Sequence, residues 1–251
     1  MSTTEHGVSS PAVMTNQQRI REAIKQMILD RDLQPGDPLP TETELMELLD
    51  ASRNPIREAI KALQALGYVE VRHGHGTYVG ALPLTPLQDF LIFRLRRAIP
   101  GSVHEAAELL QVREALEVGM ASDVVRTLHR NGTDELASIV AAMKTKAEAG
   151  RVFPQEDRRF HAVLYEALGN TLVTELQDVF WASFHAVDPQ LPGPHYTPME
   201  AWGWHQRLLD AINNADVDEY RVRMRDHFDG IRVRISHADE AVSYTHLRAH
   251  E

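Results

Sequence analysis

Between Asn16 and Val79, three stretches of helical apolar spacing are followed by two short strand-like segments, an order that leaves few folds open. The first stretch, about Asn16 to Arg31, sets Ile20, Ile24, Met27 and Ile28 on one stripe. Leu33-Gln34-Pro35-Gly36-Asp37 ends it, because Pro and Gly together make a turn. Thr41 and Glu44 have the Thr-x-x-Glu spacing of a capping box, opening a short second helix that carries Leu45, Leu48 and Leu49. Ser52 is placed to cap a third helix, with Pro55 in its first turn and Gly67 at its end. On that helix Ile56, Ile60 and Leu63 face a core, while Arg53, Arg57 and Lys61 fall at i, i+4 and i+8 beside Asn54. Tyr68 to Arg72 then reads as a strand, His73-Gly74-His75-Gly76 as a tight loop and Thr77 to Val79 as the returning strand.

Helix, helix, helix, hairpin is a winged helix-turn-helix. In that arrangement the third helix lies in the major groove, where Arg and Asn can pair with base edges, and the glycine-rich wing approaches the phosphate backbone. A lone arginine pair would more often be a solvated helix face. Here the order of elements, the capping signals and the Gly-bounded wing agree, which favours DNA. Pro35-Gly36, Leu39-Pro40, Glu44-Leu45, Ser52 to Ala59, Leu66 to Val69 and Gly74 to Val79 closely resemble the DNA-binding domain of GntR-family transcriptional regulators. The resemblance covers roughly residues 16–80. It implies DNA contacts from Arg53, Asn54 and Arg57 on the recognition helix, and from His73 and Gly74 on the wing.

The net charge of −10 argues against a diffuse nucleic-acid coat but allows a local basic surface. With 43% apolar and 25% charged residues over 251 positions, the chain is ordinary for a globular protein of two modest domains. No apolar run approaches the roughly 18 residues that cross a bilayer, and Met1 to Met14 lacks a basic start followed by an apolar core, so the expectation is a cytoplasmic protein. The organisation expected is a leader over 1–14, the winged domain over 15–80, a linker over 81–85 with two prolines nearby, a helical domain over 86–238 and a tail over 239–251. The tail shares no pattern with what precedes it and resembles translated sequencing-adaptor sequence, so it is read as non-native, with the native C-terminus missing or replaced.

The pattern predicts helices near 86–97, 104–130, 133–149, 155–169, 171–186, 198–214 and 217–238, hence a mainly α chain ending in an antiparallel all-helical bundle. Several polar residues fall on the apolar stripes of these helices. Asp157 and His161 stand four apart on the face continued by Leu164 and Leu168. His205 leads into Leu208, Leu209 and Ile212, and His227 lies among Tyr220, Met224 and Ile231. Over 104–130, Leu109, Leu116 and Met120 mark the core side, with Arg113 and Glu117 on it. Inward charges need partners, since an unpaired buried charge costs several kcal/mol. With no cysteine in the chain, a metal must be held by nitrogen and oxygen, and three histidines with one aspartate form such a set. Zn²⁺ or Ni²⁺ suits it best, with Mn²⁺ and Fe²⁺ as further candidates. Any single histidine would more often be a core or surface residue. Four ligands on inward faces shift the balance, whereas His104, His129, His185, His195 and His237 lack the joint pattern.

Arg113-x-x-x-Glu117, Asp157-x-x-Phe160-His161 with Gly169-Asn170, and His205 with Ala211-Ile212, Asp216 and His227 resemble the metal-binding version of the FCD ligand-sensing domain of FadR-type regulators. This resemblance implies metal ligation by Asp157, His161, His205 and His227, and anchoring of an effector carboxylate by Arg113. The function expected is a homodimeric, effector-responsive regulator and not an enzyme. It would be a repressor released from a palindromic operator when a small carboxylic acid binds at the metal. The alternative is a metal-dependent hydrolase, for which Glu117 is the evident general base.

Overall fold

Thr15 and Thr41 open the first two helices with reciprocal capping boxes to Gln18 and Glu44, so two backbone N–H groups at each helix start find side-chain acceptors. These helices are α1 (Asn16–Asp30) and α2 (Glu42–Leu49), and α3 (Arg53–Ala65) follows. The structure, a computed structural model, describes residues 14–99, 102–191, 193 and 196–248, with side chains as far as Ala238. The first 13 residues of the expected leader and residues 249–251 of the expected tail lie outside it.

Ser52 departs from expectation. It occupies the N-cap position of α3 in extended backbone, but its side chain makes no capping hydrogen bond. The third helical residue is Pro55, which has no N–H to donate, so one of the two usual donors to a capping hydroxyl is absent. Packing holds α3 in place instead. Ile56, Ala59, Ile60 and Leu63 join Ile20 and Ile24 of α1 and Leu45 of α2 in one core. Fully burying an Ile or Leu side chain contributes roughly 1.5–3 kcal/mol. Strands β1 (Val69–Arg72) and β2 (Gly76–Val79) pair antiparallel, Val69 opposite Val79 and Arg72 opposite Gly76. Gly74 takes φ +77° at the tip, a left-handed conformation that a side chain would disfavour.

The chain forms two units, Met1–Pro86 and Leu87–Glu251, each with its own core. The second unit takes in α4 (Thr85–Ala98) from Leu87 on, then α5 (His104–Gly119), α6 (Ala121–Asn131), α7 (Asp134–Glu148), α8 (Pro154–Glu166), α9 (Thr171–Val187), a 3-10 turn (Asp188–Gln190), α10 (Pro198–Asn213) and α11 (Val217–Arg248). The single helix expected over 104–130 is two. It breaks after Gly119, a poor helix former, at Met120 (φ −80°, ψ −5°), and the break lets α6 bury its own stripe of Ala121, Val124, Val125 and Leu128. The inward face of α5 is also rotated from expectation. Ala106, Leu110, Arg113 and Glu117 are buried, whereas Leu109, Leu116 and Met120 are only partly so. Helix α11 continues to Arg248, past the expected end at 238.

Helix α11 packs on α5 and α10, α7 packs on α8 and α10, and α9 packs on α8 and α5. Among the described residues, no helix is long and apolar enough to cross a membrane.

Candidate metal centre and DNA-reading surface

Pro154 begins α8 and places Asp157 and His161 one turn apart on its inner face. Thr197 and Glu200 form a capping box that starts α10, with His205 two turns in. His227 lies in α11 between the buried Met224 and Phe228. Gly230, one turn further, admits two aromatic rings. A Cβ there would stand 2.7 Å from Tyr196 Cε1 and 3.1 Å from Trp204 Cη2, and the Trp204 ring meets His227 edge to face at 6.4 Å.

The four residues converge. One ligand atom from each of Asp157, His161, His205 and His227 lies within 4.8 Å of the others. His205 Nε2 is 2.8 Å from Asp157 Oδ1, His161 Nε2 is 3.6 Å from the same oxygen, and the Nε2 atoms of His161 and His227 are 3.0 Å apart. Two ligands each roughly 2.1 Å from one ion, at right or tetrahedral angles, would be separated by roughly 3.0–3.4 Å.

Proton placement sharpens the point. His205 Nδ1 lies 2.8 Å from the Ala201 carbonyl, which can only accept, so the proton sits on Nδ1 and the neutral ring presents a lone pair at Nε2. His161 Nδ1 lies 3.1 Å from Glu117 Oε2, close enough for ionic attraction though not aligned for a full hydrogen bond. That carboxylate likewise favours the proton on Nδ1 and a lone pair on Nε2. His205 Nε2 and Asp157 Oδ1 then face each other as acceptors, and His161 and His227 bring their own nitrogens to the same point. A cation is what such a set accommodates. Burial favours a neutral Asp157, but its close neighbours, His205 first and then His161 and His227, outweigh it and hold the carboxyl far below the usual range. His227 is pushed well below its ordinary value by burial, reinforced by His205 and His161.

Behind His161 lies a second network that the sequence reading only half identified. Glu117, fully buried, accepts from Arg113 Nε at 2.6 Å and from the Tyr165 hydroxyl at 2.9 Å. Burial again opposes the charge, but Arg113 and His161 keep Glu117 ionised far below the usual carboxylate range. Arg113 also lies over the Phe228 ring at 5.2 Å, and among the described residues its only hydrogen bond is the one from Nε. It lines a cavity of about 290 Å³ together with His161, Tyr165, Thr174, Gln177 and Trp181. Tyr165 and Gln177 were not singled out from sequence. The signal was present, because each is a polar group on the buried face of its helix, the rule that picked out the histidines.

In the first unit, Arg53, Asn54 and Arg57 are exposed on α3, and His73 and Gly74 are exposed at the turn between β1 and β2. Arg57 Nε reaches both carboxylate oxygens of Glu42, at the start of α2, at 2.9 Å. Arg72 lies over the Tyr78 ring at 4.2 Å, which stiffens the hairpin.

A winged helix-turn-helix unit, followed by a helical unit that buries a polar cluster beside a cavity, is the build of a DNA-binding protein with a ligand-binding domain. Residues 16–79 match the family described as bacterial regulatory proteins, gntR family, and residues 108–230 match the FCD domain. The chain belongs to the GntR family of bacterial transcriptional regulators and carries an FCD domain. It is 30% identical over 152 residues to the HTH-type transcriptional regulator LutR of Bacillus subtilis, covering 61% of this chain and 68% of that one. It is 26% identical over 218 residues to the HTH-type transcriptional repressor NanR of Cronobacter sakazakii, covering 84% and 82%. Among solved structures it resembles a GntR protein of Streptococcus agalactiae, with a TM-score of 0.59 and 26% identity over 86% of this chain and 98% of that one.

Proposed function

We propose that this regulator is a homodimeric repressor that leaves a palindromic operator when a small carboxylic acid binds at a divalent metal in its C-terminal domain. The observation that carries this reading is the convergence of three imidazole nitrogens and one carboxylate oxygen, backed by a buried arginine. Asp157, His161, His205 and His227 would hold Zn²⁺ or Ni²⁺, with Mn²⁺ or Fe²⁺ as further candidates, and the ion would supply a Lewis-acidic position for a carboxylate oxygen. Glu117 orients His161 and Arg113 together, and Arg113 keeps its terminal nitrogens for the acid.

Arg53, Asn54 and Arg57 would read base edges, with His73 and Gly74 of the wing against the phosphates. In this scheme residues 15–80 form the DNA-binding domain and 86–238 the sensor, and a twofold dimer imposes twofold symmetry on the operator. Of the two relatives described above, the one from Cronobacter sakazakii is named a repressor. Acid binding must favour the arrangement that binds DNA poorly, and a tenfold preference corresponds to about 1.4 kcal/mol.

Hydrolysis finds no support in the geometry. Glu117 is committed to Arg113 and Tyr165 and stays ionised far below the usual range, so it is a weak base. The test is titration of fluorescent operator DNA with the metal-loaded protein and a panel of carboxylic acids, with and without chelator. Release by an acid only when metal is present is expected. Operator binding indifferent to every acid would overturn the repressor reading.

A further inference from the structure

Arg53, Arg57 and Lys61 share a polar face of α3, yet their side chains are held differently. Arg53 makes no side-chain hydrogen bond or ion pair among the described residues, and Lys61 pairs within its own helix, with Glu58 at 2.9 Å. Of the three, Arg57 alone is tied to another helix. Its Nε donates to both carboxylate oxygens of Glu42, each 2.9 Å away, and Glu42 is the first residue of α2. The side chains are 52% and 36% exposed, so the pair adds little to stability. Its effect is on direction. Glu42 is itself well anchored, because the capping box of Thr41 and Glu44 starts its helix and a carboxylate in a first turn suits the helix dipole.

We infer that Glu42 is a positioning residue for DNA reading, holding Arg57 so that its two terminal nitrogens fork onto a guanine and not onto a phosphate. This rests on the reading above, in which Arg57 contacts DNA. Both bonds to Glu42 come from Nε, and among the described residues neither terminal nitrogen makes a hydrogen bond. Those two nitrogens match the adjacent O6 and N7 acceptors that guanine shows in the major groove. A phosphate at the same place would meet the Glu42 carboxylate as a like charge. Arg53, with no carboxylate beside it, has no such bias.

The test selects operator sites from random double-stranded DNA with the full-length protein and measures binding by fluorescence anisotropy, beside a scrambled duplex. Removing a negative charge from a DNA-binding surface should by itself tighten binding to any duplex. Glu42→Ala is instead expected to weaken operator binding, by roughly twofold to tenfold, because Arg57 must then be ordered on the DNA. Scrambled duplex should bind equally or more tightly, which an unfolded variant could not do. In the Arg57→Ala background the loss caused by Glu42→Ala should vanish. Replacing guanines one at a time by 7-deazaguanine, which lacks the N7 acceptor, should find a position that weakens wild type and leaves Arg57→Ala unaffected. Glu42→Ala that binds the operator as tightly as wild type, or loses as much in the Arg57→Ala background, would overturn this inference and leave Arg57 as a DNA contact. So would an Arg57→Ala salt slope lower by about one, the mark of a phosphate contact, or no guanine with that pattern. Full operator affinity in Arg57→Ala would overturn both readings.

Discussion

At the scale of single residues, Glu117 ties the buried polar cluster together. It neutralises Arg113, receives the Tyr165 hydroxyl and faces His161, all out of water. Glu117→Gln should destabilise the C-terminal unit by about 3–5 kcal/mol, because it leaves Arg113 buried without a counter-charge. Tyr165→Phe, which removes one bond to a charged acceptor, should cost only about 1.5–3 kcal/mol. Urea denaturation of both variants checks the order. His227 sets a pH dependence in chelator-treated protein. Its folded value lies below the ordinary 6.5, so the unfolded chain binds the extra proton first. Stability from this group is therefore complete above about pH 6.5 and falls below it, by at most about 1.4 kcal/mol per pH unit, which urea midpoints from pH 7.5 to 5.5 would show. The inward polar residues were legible in the sequence because helical spacing put them on apolar stripes. Glu117's bond to Tyr165 and the unpaired amide of Gln177 were not, since they depend on which helices become neighbours.

At the scale of elements, local chemistry decided what could be read. Thr41 with Glu44, and the hairpin around Gly74, form as their residues require. Ser52 makes no capping hydrogen bond, so Ser52→Ala should change stability by less than about 0.5 kcal/mol, whereas Thr197→Ala should cost about 1 kcal/mol by losing a working capping box. Thermal melts of the two variants test the contrast. The break at Met120 was not legible because the apolar spacing runs on through it, and Gly119 alone, a poor helix former, does not say whether packing of α6 will turn the chain. The recognition helix carries its own prediction. Arg57→Ala should weaken operator binding by about 1–3 kcal/mol if Arg57 contacts a base, measured by fluorescence anisotropy. The pairing of Arg57 with Glu42 holds its side chain near the start of α2 in the absence of DNA.

At the scale of the whole molecule, two units have separate cores, and the gntR match falls in the first and the FCD match in the second. The division was visible in the sequence as a switch from a short helix-and-hairpin pattern to uninterrupted helical spacing. The account depends on side chains from α8, α10 and α11 meeting around a cation, so metal content is its most direct measurement. Elemental analysis of the full-length protein after incubation with Zn²⁺ or Ni²⁺ and desalting should find about one ion per chain, and His205→Ala should retain little. Wild-type protein that takes up no metal, or a His205→Ala variant that keeps a full complement, would contradict the account.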